Sequence, residues 1–580
     1  MLNVVIGYVA KQRSISFVSL LVVVMLLLGF TSPLGAAPKL DKIKKNKIKV
    51  KKNKLVKSVV QLDETQLQPC LPNTERGRKG QWCEAYNNPV VAIHMSVLPD
   101  GRVISWGSGG LNGDSNKTAV AVWTPGNPVS QRFDYLNGNL FCSGHSFLPD
   151  GRLLVSGGID NGAYAVGIKT AAIFDYTTNQ WNQLPVDMNA GRWYPTSLTL
   201  GNGNTLVWAG TIGAGAPNNT PQILEKQFDG TFAWHSLSIN NPEGYDNIYS
   251  WLHLLSSGKV FVAHGGVKKS YLVSLGDRFQ RPSMYEYPII KPYTTEDWTL
   301  TDPHDSGSSV VIDKDEILVV GGGSLPKQTA EYINMNDPNP KWTRVGRLGT
   351  GRRQMDTTLL PDGKVLVTGG NKGDGYNNTC SQNFVKVAEM WNPSARGVDS
   401  DVNTPSDSVW TQLASATQPR IYHSSAVLLP DGRVLTGGTT REPNPQGLVS
   451  FPGGAPCQNE TLDVRKMEVF SPPYLFNLDG TDAARPQISN APSQVSYGQT
   501  IQFTVTGAGM NSKVNLIRLP SVTHSFNQNQ GFNKLTPTVN GQNFSVTIPA
   551  NRNECPPGHY MMFVINSDGV PSVAKIIQVL

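Results

Sequence analysis

Five side chains of types that bind metals or take part in redox chemistry stand at related places in the sequence. Cys142, Tyr194 and His423 each lie nine residues before the turn residue of a recurring pattern that resembles "LPDGR". Tyr422 directly precedes His423 in "QPRIYHSSAVLLPDGRVLTGG", and His524 follows an apolar stretch in "LIRLPSVTHSFNQNQ". The shared spacing indicates that the first three residues occupy equivalent places in repeats of one structural unit.

The chemistry that these residue types favour is that of a redox metal. Imidazole nitrogens and phenolate oxygens in a tetragonal arrangement suit Cu(II), whereas a structural zinc site requires more thiolate or imidazole in a closed tetrahedron. Each residue alone has a structural explanation, because Cys and Tyr at a strand start usually pack in a core and a single His there is more often hydrogen-bonded scaffold. Together they favour a metal site, which His524 would reach from farther along the chain.

The elements that must position these residues are seven copies of one pattern. Each copy has an apolar stretch, a tight turn, a second apolar stretch and a glycine pair. The Asp-Gly and Asn-Gly turns favour a two-residue hairpin connection with positive φ angles. Kelch repeats have a period of about 50 residues. The copies therefore predict an all-β protein with a seven-bladed, kelch-like β-propeller over residues 85–470. The turn residues are Gly101, Gly151, Gly203, Gly258, Asp315, Gly363 and Gly432.

The places nine residues before the turns should form a ring around the propeller axis, because the blades are related by near rotational symmetry. Four of the seven are Cys, Tyr or His, although the chain has only 6 Cys, 18 Tyr and 9 His in 580 residues. We therefore expect Cys142, Tyr194 and His423 to converge. Since adjacent residues of a strand face opposite ways, the chain must leave β geometry at "IYH" if Tyr422 and His423 are to reach one metal. The ring positions are Ala92, Cys142, Tyr194, Tyr249, Ser306, Gln354 and His423.

Two regions flank the propeller. Residues 471–580 lack the repeat and alternate strands with Gly and Pro turns, which predicts an immunoglobulin-like β-sandwich. Residues 1–37 have the order of a secretory signal peptide, with cleavage near Ala36 or Ala37. Retention as an N-terminal membrane anchor is the alternative, because the apolar run of 16 residues is just under the ~17 that a span needs. Residues 38–84 are a Lys-rich linker and lead-in.

The net charge of +7 comes from the N-terminal region. Residues 39–57 contain ten Lys and one Asp, and without them and Lys11 and Arg13 the remainder, residues 58–580, has a charge of −4. Nothing supports nucleic-acid binding. The Lys run is either a plain solvated spacer or a tether that contacts an anionic membrane or cell-wall surface. We expect a monomer.

The six cysteines bear on the compartment, because export exposes them to an oxidising environment. Cys70 and Cys83 are close enough in sequence for a local disulfide, and Cys380 with Cys457 is a weaker pairing. Cys555 has no assigned partner.

The chain resembles the copper radical oxidases, the family of galactose oxidase and glyoxal oxidase, from about residue 85 to the C terminus. The motifs that carry the resemblance are "FCSGHS", "GRWYPTS", "RIYHSSAVLLPDGRVLTGG", "SVTHSFN" and "PPGHYMMFVINSDGVPSVA". The resemblance implies one copper ion and a thioether bond between Cys142 and Tyr194, with the linked Tyr194 as a radical-bearing metal ligand. It also implies Tyr422 as axial ligand and base, and His423 and His524 as nitrogen ligands.

The implied reaction is oxidation of small aldehydes or primary alcohols by O2 with release of H2O2, and glycan hydroxymethyl groups are an alternative substrate. Galactose oxidase orients its sugar with an Arg in the fourth blade, but no Arg occurs here between Arg192 and Arg278. The layout is therefore closer to glyoxal oxidase and its bacterial relatives. Ile212 stands where galactose oxidase has the Trp that shields its radical. The candidates to replace that Trp are Trp193, Trp251 and Trp298, and the candidate pocket residues are Tyr249, Arg353, Trp251 and Trp193.

Two other functions fit parts of the pattern. An exported propeller that binds glycan or protein without chemistry would not require Cys142, Tyr422 and His524 to coexist. A copper protein without a stable radical would follow from loss of the shielding Trp.

Overall fold

The computed structural model describes most of the chain after residue 72. The predicted signal peptide and most of the Lys-rich linker lie outside the described residues, as do Cys70, Cys457 and Trp298. Among the described residues, no helix is both long enough and apolar enough to cross a membrane. The described ranges are 73–110, 114–127, 131–135, 137–160, 166–213, 215–237, 248–263, 270–275, 291–292, 304–374, 380–395, 409–439, 448–451 and 460–580.

Short β-strands make up nearly all of the regular structure, as expected from the frequent turn residues. One short helix, α1 (Arg76–Lys79), precedes them. In chain order the strands up to residue 236 are β1 (Gln81–Asn87), β2 (His94–Val97), β3 (Val103–Trp106), β4 (Thr118–Trp123), β5 (Gln131–Tyr135), β6 (Gly144–Phe147), β7 (Leu153–Ser156), β8 (Ile159–Asp160), β9 (Val166–Gly167), β10 (Ala171–Asp175), β11 (Gln180–Gln183), β12 (Thr196–Thr199), β13 (Thr205–Trp208), β14 (Thr211–Gly213), β15 (Ala216–Pro217), β16 (Gln222–Lys226) and β17 (Phe232–Ser236).

The same alternation of strand and turn continues to residue 471. The strands are β18 (Leu252–Leu254), β19 (Val260–Val262), β20 (Tyr271–Val273), β21 (Lys291–Pro292), β22 (Ser308–Asp313), β23 (Glu316–Val320), β24 (Thr329–Asn334), β25 (Thr343–Arg347), β26 (Arg353–Leu359), β27 (Val365–Asn371), β28 (Val387–Trp391), β29 (Trp410–Ser415), β30 (Ser425–Leu428), β31 (Val434–Gly437), β32 (Leu448–Phe451), β33 (Glu460–Asp463) and β34 (Lys466–Ser471). The 3₁₀ turns are Ser381–Asn383, Pro393–Ala395 and Pro473–Leu475.

Most of these strands form seven antiparallel sheets, each with four strands from the propeller region, and the rest form the two-stranded pairs β8 with β9, β14 with β15 and β32 with β33. In chain order the first six of the seven sheets are β2 to β5, then β6, β7, β10 and β11, then β12, β13, β16 and β17, then β18 to β21, β22 to β25 and β26 to β29. The seventh sheet combines β30, β31 and β34 with the N-terminal strand β1, which pairs with β34 from Gln81 opposite Ser471. The two ends of the propeller thus meet in one sheet, and the predicted seven-bladed, all-β architecture is confirmed.

The innermost strands of the blades pack side by side around the axis. Strand β30 contacts β2 on one side and β26 on the other, β26 contacts β22, and β12 contacts β6 and β18. Hydrogen bonds between side chains join the remaining neighbours: His94 in β2 to His145 in β6, and His253 in β18 to Ser309 in β22. The inner strands therefore surround one axis, and each ring position lies within three residues of the first residue of its inner strand.

In six blades the turn between the first two strands differs from the expected two-residue connection, whereas in the fifth blade Asp313 pairs with Glu316 across two residues. In the first blade Gly101 donates its N–H to Leu98 O and Leu98 donates its N–H to Arg102 O, so three residues form the loop. Only Gly101 there has a positive φ, of 84°, whereas Asp100 does not. Asp100 Oδ1 instead accepts a hydrogen bond from Arg102 N–H. This arrangement is a turn followed by a glycine bulge, and the sequence interpretation was wrong on loop length.

The C-terminal domain is a sandwich of two sheets. Its strands are β35 (Gln487–Ser489), β36 (Gln494–Val495), β37 (Thr500–Thr506), β38 (Lys513–Arg518), β39 (Ser521–Thr523), β40 (Phe526–Asn527), β41 (Phe532–Leu535), β42 (Thr538–Asn540), β43 (Asn543–Thr547), β44 (Gly558–Ile565) and β45 (Lys575–Val579). One sheet has the order β35-β37-β43-β42 and the other the order β36-β45-β44-β38-β41. Apolar residues of both sheets, including Phe503, Leu516 and Phe544, form the core between them. The immunoglobulin-like fold is confirmed.

Two strands of this domain leave the sandwich and join the propeller. Strand β39 pairs with β2, with Thr523 opposite His94, and β40 pairs with β39. The first blade therefore continues into the C-terminal domain as one sheet of six strands. This strand addition carries the residue after Thr523, His524, to the propeller axis.

Candidate metal centre

The ring positions share an uncommon backbone conformation. Six of the seven have a positive φ although none is glycine: Cys142 (58°), Tyr194 (66°), Tyr249 (43°), Ser306 (55°), Gln354 (56°) and His423 (71°). His524 has the same conformation, with a φ of 48°. Left-handed conformations of non-glycine residues are strained and concentrate at functional sites, where the surrounding structure holds them. The shared strained conformation therefore marks the ring positions as a functional feature of the propeller.

Backbone hydrogen bonds link ring residues of successive blades. Tyr194 donates its N–H to Cys142 O, and Tyr249 donates its N–H to Tyr194 O, both at 2.8 Å. Gln354 donates its N–H to Ser306 O in the same way, at 2.6 Å. The spacing of nine residues before the turn therefore identifies neighbours in space as well as equivalents in sequence. Cys142, Tyr194 and Tyr249 also lie in one buried apolar cluster.

Tyr422 and His423 occupy a tight turn, as the "IYH" argument requires. Ser424 donates its N–H to Ile421 O at 2.9 Å, so Tyr422 and His423 are the two central residues of the turn. The positive φ of His423 rotates its side chain to the same side as that of Tyr422. The two rings are in contact in a tilted arrangement, with centroids 3.8 Å apart and planes inclined by 31°. The predicted departure from β geometry is confirmed.

His524 reaches the same place from the C-terminal domain. Its ring lies 4.6 Å from the ring of His423 and 5.2 Å from that of Tyr194, measured between centroids. His524 Nδ1 is 2.6 Å from Thr523 Oγ1, and Thr523 Oγ1 donates to Ile93 O at 3.2 Å. Nδ1 therefore carries the hydrogen and donates it to Thr523, which leaves Nε2 with its lone pair available to a metal. Burial, and then the neighbouring His423, lower the pKa of His524 well below its usual value.

The donor atoms fit one metal ion. Ligand atoms of Cys142, His423 and His524 lie within 4.8 Å of one another. The hydroxyl oxygens of Tyr194 and Tyr422 are joined by a hydrogen bond of 2.6 Å. Imidazole nitrogens and phenol oxygens that converge in this way match the donor preferences of Cu(II). Tyr194, Tyr422, His423 and His524 are therefore the residues that would hold copper, and the Cys142 thiol lies 3.5 Å from His524 Nε2.

A cavity of about 230 Å³ opens beside these residues. Two of the candidate pocket residues, Tyr249 and Trp251, line it, together with Asp305, Ser306 and Gln354. Both amide atoms of the buried Gln354 have no hydrogen-bond partner within the described residues. The cavity is therefore lined by both polar and aromatic side chains.

The other two candidate pocket residues lie behind the lining. Arg353 directs its guanidinium to Asp305 Oδ2 at 3.3 Å and to Ser306 Oγ at 3.0 Å, so it contacts two lining residues. Trp193 packs edge-on against Tyr194, with ring centroids 4.5 Å apart and planes inclined by 61°. Trp193 thus contacts the ring that the family resemblance makes the radical site.

Sequence reasoning missed two histidines next to the ligands. His94 Nε2 accepts a hydrogen bond from Cys142 N–H at 3.0 Å, and His94 Nδ1 lies 3.1 Å from His145 Nε2. His94 stands two residues after ring position Ala92 and His145 three residues after Cys142. A count of His within a few residues of the ring positions would have found both.

Comparison with known proteins identifies the family. The family model "Glyoxal oxidase N-terminus" matches residues 114–278 and 311–474, and "Galactose oxidase-like, Early set domain" matches residues 485–579. The chain is 31% identical over 474 residues to "Aldehyde oxidase GLOX" of Vitis pseudoreticulata, which covers 76% of this chain and 82% of that protein. The chain belongs to the copper radical oxidase family. This copper radical oxidase is accordingly a copper-dependent oxidoreductase, and the predicted family and enzyme class are confirmed.

Further relatives extend over the same part of the molecule. A galactose oxidase of Gibberella zeae is 27% identical to this copper radical oxidase over 534 residues, which cover 86% of this chain and 70% of the relative. A solved structure titled "Novel fungal alcohol oxidase with catalytic diversity among the AA5 family, in complex with copper" superposes with a TM-score of 0.70. It covers 87% of this chain and 100% of its own at 23% identity, which shows a shared fold.

Proposed function

We propose that the protein is an exported oxidase that uses one copper ion and a thioether-linked Cys142–Tyr194 unit to oxidise small aldehydes or primary alcohols. The observation that carries the proposal is the hydrogen bond of 2.6 Å between Tyr194 Oη and Tyr422 Oη, next to the imidazoles of His423 and His524. Copper held by these four residues would supply one electron acceptor and the oxidised Cys142–Tyr194 unit a second, and dioxygen would take up the two electrons with two protons to become hydrogen peroxide.

Tyr422 is the base in this proposal. Two phenols at 2.6 Å share one hydrogen bond, so one of them donates and the other accepts. When one proton has left the pair, the remaining hydroxyl stabilises the phenolate by a charge-assisted hydrogen bond. Tyr422, which is half-buried and lines the cavity, can then take the proton of a substrate hydroxyl at its Oη.

Tyr194 is the acceptor of hydrogen from the substrate carbon. Its ring is buried between Trp193 and Tyr249, with centroids at 4.5 and 5.1 Å, and these contacts hold it in one orientation. A thioether bond to Cys142 would fix the ring further and make it easier to oxidise. The two neighbouring rings would also limit the access of water to Tyr194, which protects a reactive intermediate.

The size and lining of the cavity support a small substrate. A volume of about 230 Å³ is smaller than that of ordinary ligand pockets, which are roughly 300–1,000 Å³. The Gln354 amide, Asp305 and Ser306 provide polar partners for hydroxyl or hydrated aldehyde groups. The name aldehyde oxidase of the relative from Vitis pseudoreticulata agrees with this substrate class.

Mass analysis of copper-treated protein tests the proposal. We expect the peptides that contain Cys142 and Tyr194 to be joined and lighter by two hydrogens after exposure to Cu(II) and O2. Peroxide release should follow with glyoxal, glycolaldehyde or a primary alcohol, and Cys142→Ser should lose both signals. Wild-type protein that shows neither a cross-link nor peroxide would overturn the assignment and favour a non-catalytic propeller.

Export is the second part of the proposal. Cys83 and Cys380 are both disulfide-bonded, which agrees with an oxidising compartment. Residues 1–37 would direct export, and their removal predicts a mature N terminus close to Ala37. N-terminal sequencing of protein from the culture medium or periplasm distinguishes this from a retained anchor.

The Lys-rich linker would then lie outside the cell, next to whatever surface the protein meets. We propose electrostatic contact between residues 39–57 and an anionic membrane or wall surface, by a monomeric protein. Sedimentation with anionic vesicles at low and high salt tests it, and salt-independent partition would contradict it.

A further inference from the structure

Two fully buried histidines lie beside the candidate metal centre without being among its ligands. His94 is in β2 of the first blade and His145 is in β6 of the second, and neither exposes any surface. The ring of His94 stacks on Trp106, with centroids 4.8 Å apart and planes inclined by 4°. The two imidazoles are joined by the contact of 3.1 Å between His94 Nδ1 and His145 Nε2.

The backbone of Cys142 sets the direction of the hydrogen bonds. Cys142 N–H donates to His94 Nε2, so that nitrogen carries no hydrogen and the ring is neutral with its hydrogen on Nδ1. His94 Nδ1–H consequently donates to His145 Nε2. His145 then carries its own hydrogen on Nδ1 and donates it to Ser521 Oγ. Burial, which lowers the pKa of His145 to about 3, agrees with two neutral rings.

The two ends of this hydrogen-bond chain belong to the two segments that meet at the metal centre. One end is the backbone of Cys142, which has the strained left-handed conformation with a φ of 58°. The other end is Ser521 in β39, three residues before His524, and Ser521 Oγ also lies 2.9 Å from Ser96 Oγ. The chain of bonds therefore ties the loop that carries the thiol to the strand that delivers an imidazole.

We propose that His94 and His145 are positioning residues that hold the Cys142 backbone in its turn and so present the thiol to Tyr194. The inference rests on the proposed function, because thioether formation is the step that they orient. In that step the thiol and a ring carbon of Tyr194 each lose one hydrogen and a C–S bond forms. Dioxygen takes the two electrons and two protons and becomes hydrogen peroxide.

The test compares substitutions at His94 with a matched buried histidine. His94→Phe keeps a flat ring against Trp106 but removes the acceptor for Cys142 N–H, whereas His94→Gln places an amide oxygen near the position of Nε2. His253→Phe is the control, because His253 is equally enclosed and its described side-chain hydrogen bond is to Ser309 Oγ at 2.8 Å, in another pair of blades. Two rates are measured: amide hydrogen exchange of the peptide containing Cys142 in metal-free protein, and thioether formation after addition of Cu(II) and O2.

The expected result is a paired effect on both rates. His94→Phe should exchange the Cys142 amide at least tenfold faster and form the cross-link at least tenfold more slowly than wild type. His94→Gln should recover most of both rates, and His253→Phe should match wild type. Recovery by Gln separates a specific acceptor from a general loss of packing. If thermal melting shows that His94→Phe does not fold, His145→Phe, which removes the acceptor of His94 Nδ1–H, replaces it in the comparison.

Two failures are distinguishable. Wild-type rates in His94→Phe, with a wild-type enzyme that does cross-link, would overturn the positioning role. A wild-type protein that does not cross-link would overturn the proposed function instead, and the exchange measurement, which needs no copper, would still show whether His94 holds the Cys142 amide.

Discussion

Tyr194 and Tyr422 are 228 positions apart in the chain, yet their hydroxyl oxygens lie 2.6 Å apart. The third blade supplies one phenol and the turn before the seventh blade supplies the other. Ring closure is what brings them together, because neither blade could form the pair alone. Any change that opens the propeller should therefore abolish the site before it unfolds the individual sheets.

Replacement of Tyr422 by Phe should separate proton transfer from cofactor formation. Tyr422→Phe removes the proposed base and one metal ligand, so we expect kcat to fall by at least about 100-fold, the usual contribution of general base catalysis. The Cys142–Tyr194 cross-link should still form, because both of its partners are unchanged. Peroxide assays and peptide masses provide the two measurements. Tyr135→Phe, a buried change in the first blade, is the control, and equal activity of the two variants would exclude Tyr422 as base.

Copper should raise the melting temperature through binding to the native state. His524→Ala removes an imidazole from the site and should lose this copper-dependent shift, whereas His235→Ala, at a partly exposed histidine of β17, should keep it. Cys142→Ser should also keep most of the shift, since Cys142 is proposed as cross-link partner and not as ligand. Thermal melting with and without Cu(II) measures all three. A shift retained by His524→Ala would place the copper elsewhere.

Asp356 should make stability depend on pH. Burial raises the pKa of Asp356 to about 7, against the opposing hydrogen bond from Ser424 Oγ at 2.8 Å. A carboxyl group whose pKa is higher in the folded state contributes stability that is complete below its unfolded value of 3.8 and is lost as the pH rises through about 7.

Asp356→Asn should remove this pH-dependent part of the unfolding free energy, because the amide is neutral at every pH. Relative to the variant, the wild type should lose on the order of 2–4 kcal/mol of unfolding free energy between pH 4 and pH 8. Urea denaturation of metal-free protein at several pH values measures the difference. If the unfolding free energies of the two proteins changed with pH in parallel, ionisation of Asp356 in the folded protein would cost little free energy.

Gln528 should matter for the attachment of the C-terminal domain. Its Oε1 accepts hydrogen bonds from the backbone N–H groups of His145 at 3.0 Å and Ser197 at 2.8 Å, in the second and third blades. Gln528→Leu leaves both buried donors unpaired, which should destabilise the fold by about 2–5 kcal/mol. Urea denaturation tests this against Gln502→Leu on the exposed face of β37. Equal stability of the two variants would show that water replaces the lost acceptor.

The ring of candidate metal-binding residues could be predicted from sequence because residues at the same position of each repeat occupy equivalent positions in the propeller. Cys142, Tyr194 and His423 were placed together by their distance from a turn, and the turn at "IYH" followed from the need to aim two adjacent side chains at one metal. The loop length of the turns was wrong because Asp-Gly fits both a two-residue hairpin and a glycine bulge, and the hydrogen bond from Arg102 N–H to Asp100 decides between them.

Contacts between blades were the part that sequence could not provide. His94 and His145 lie in different blades, and their hydrogen bond depends on the angle at which inner strands meet. The pairing of β39 with β2 joins residues more than 400 positions apart, and no periodicity marks it. Arg353 directly precedes the ring position Gln354, so the repeat predicts its place in the sixth blade. Only the structure shows that its guanidinium is directed to Asp305.

The pairing of β1 with β34 also dictates an order of events during synthesis. Gln81 to Asn87 leave the ribosome early, whereas their partners, Lys466 to Ser471, are made almost 400 residues later. At about 5–20 residues per second, the first strand waits roughly 20 to 80 seconds for the strand that completes its sheet. The oxidase therefore cannot close its ring before Ser471 has been made, and the proposed ligand His524 follows later still, so the catalytic centre cannot form on a shorter chain.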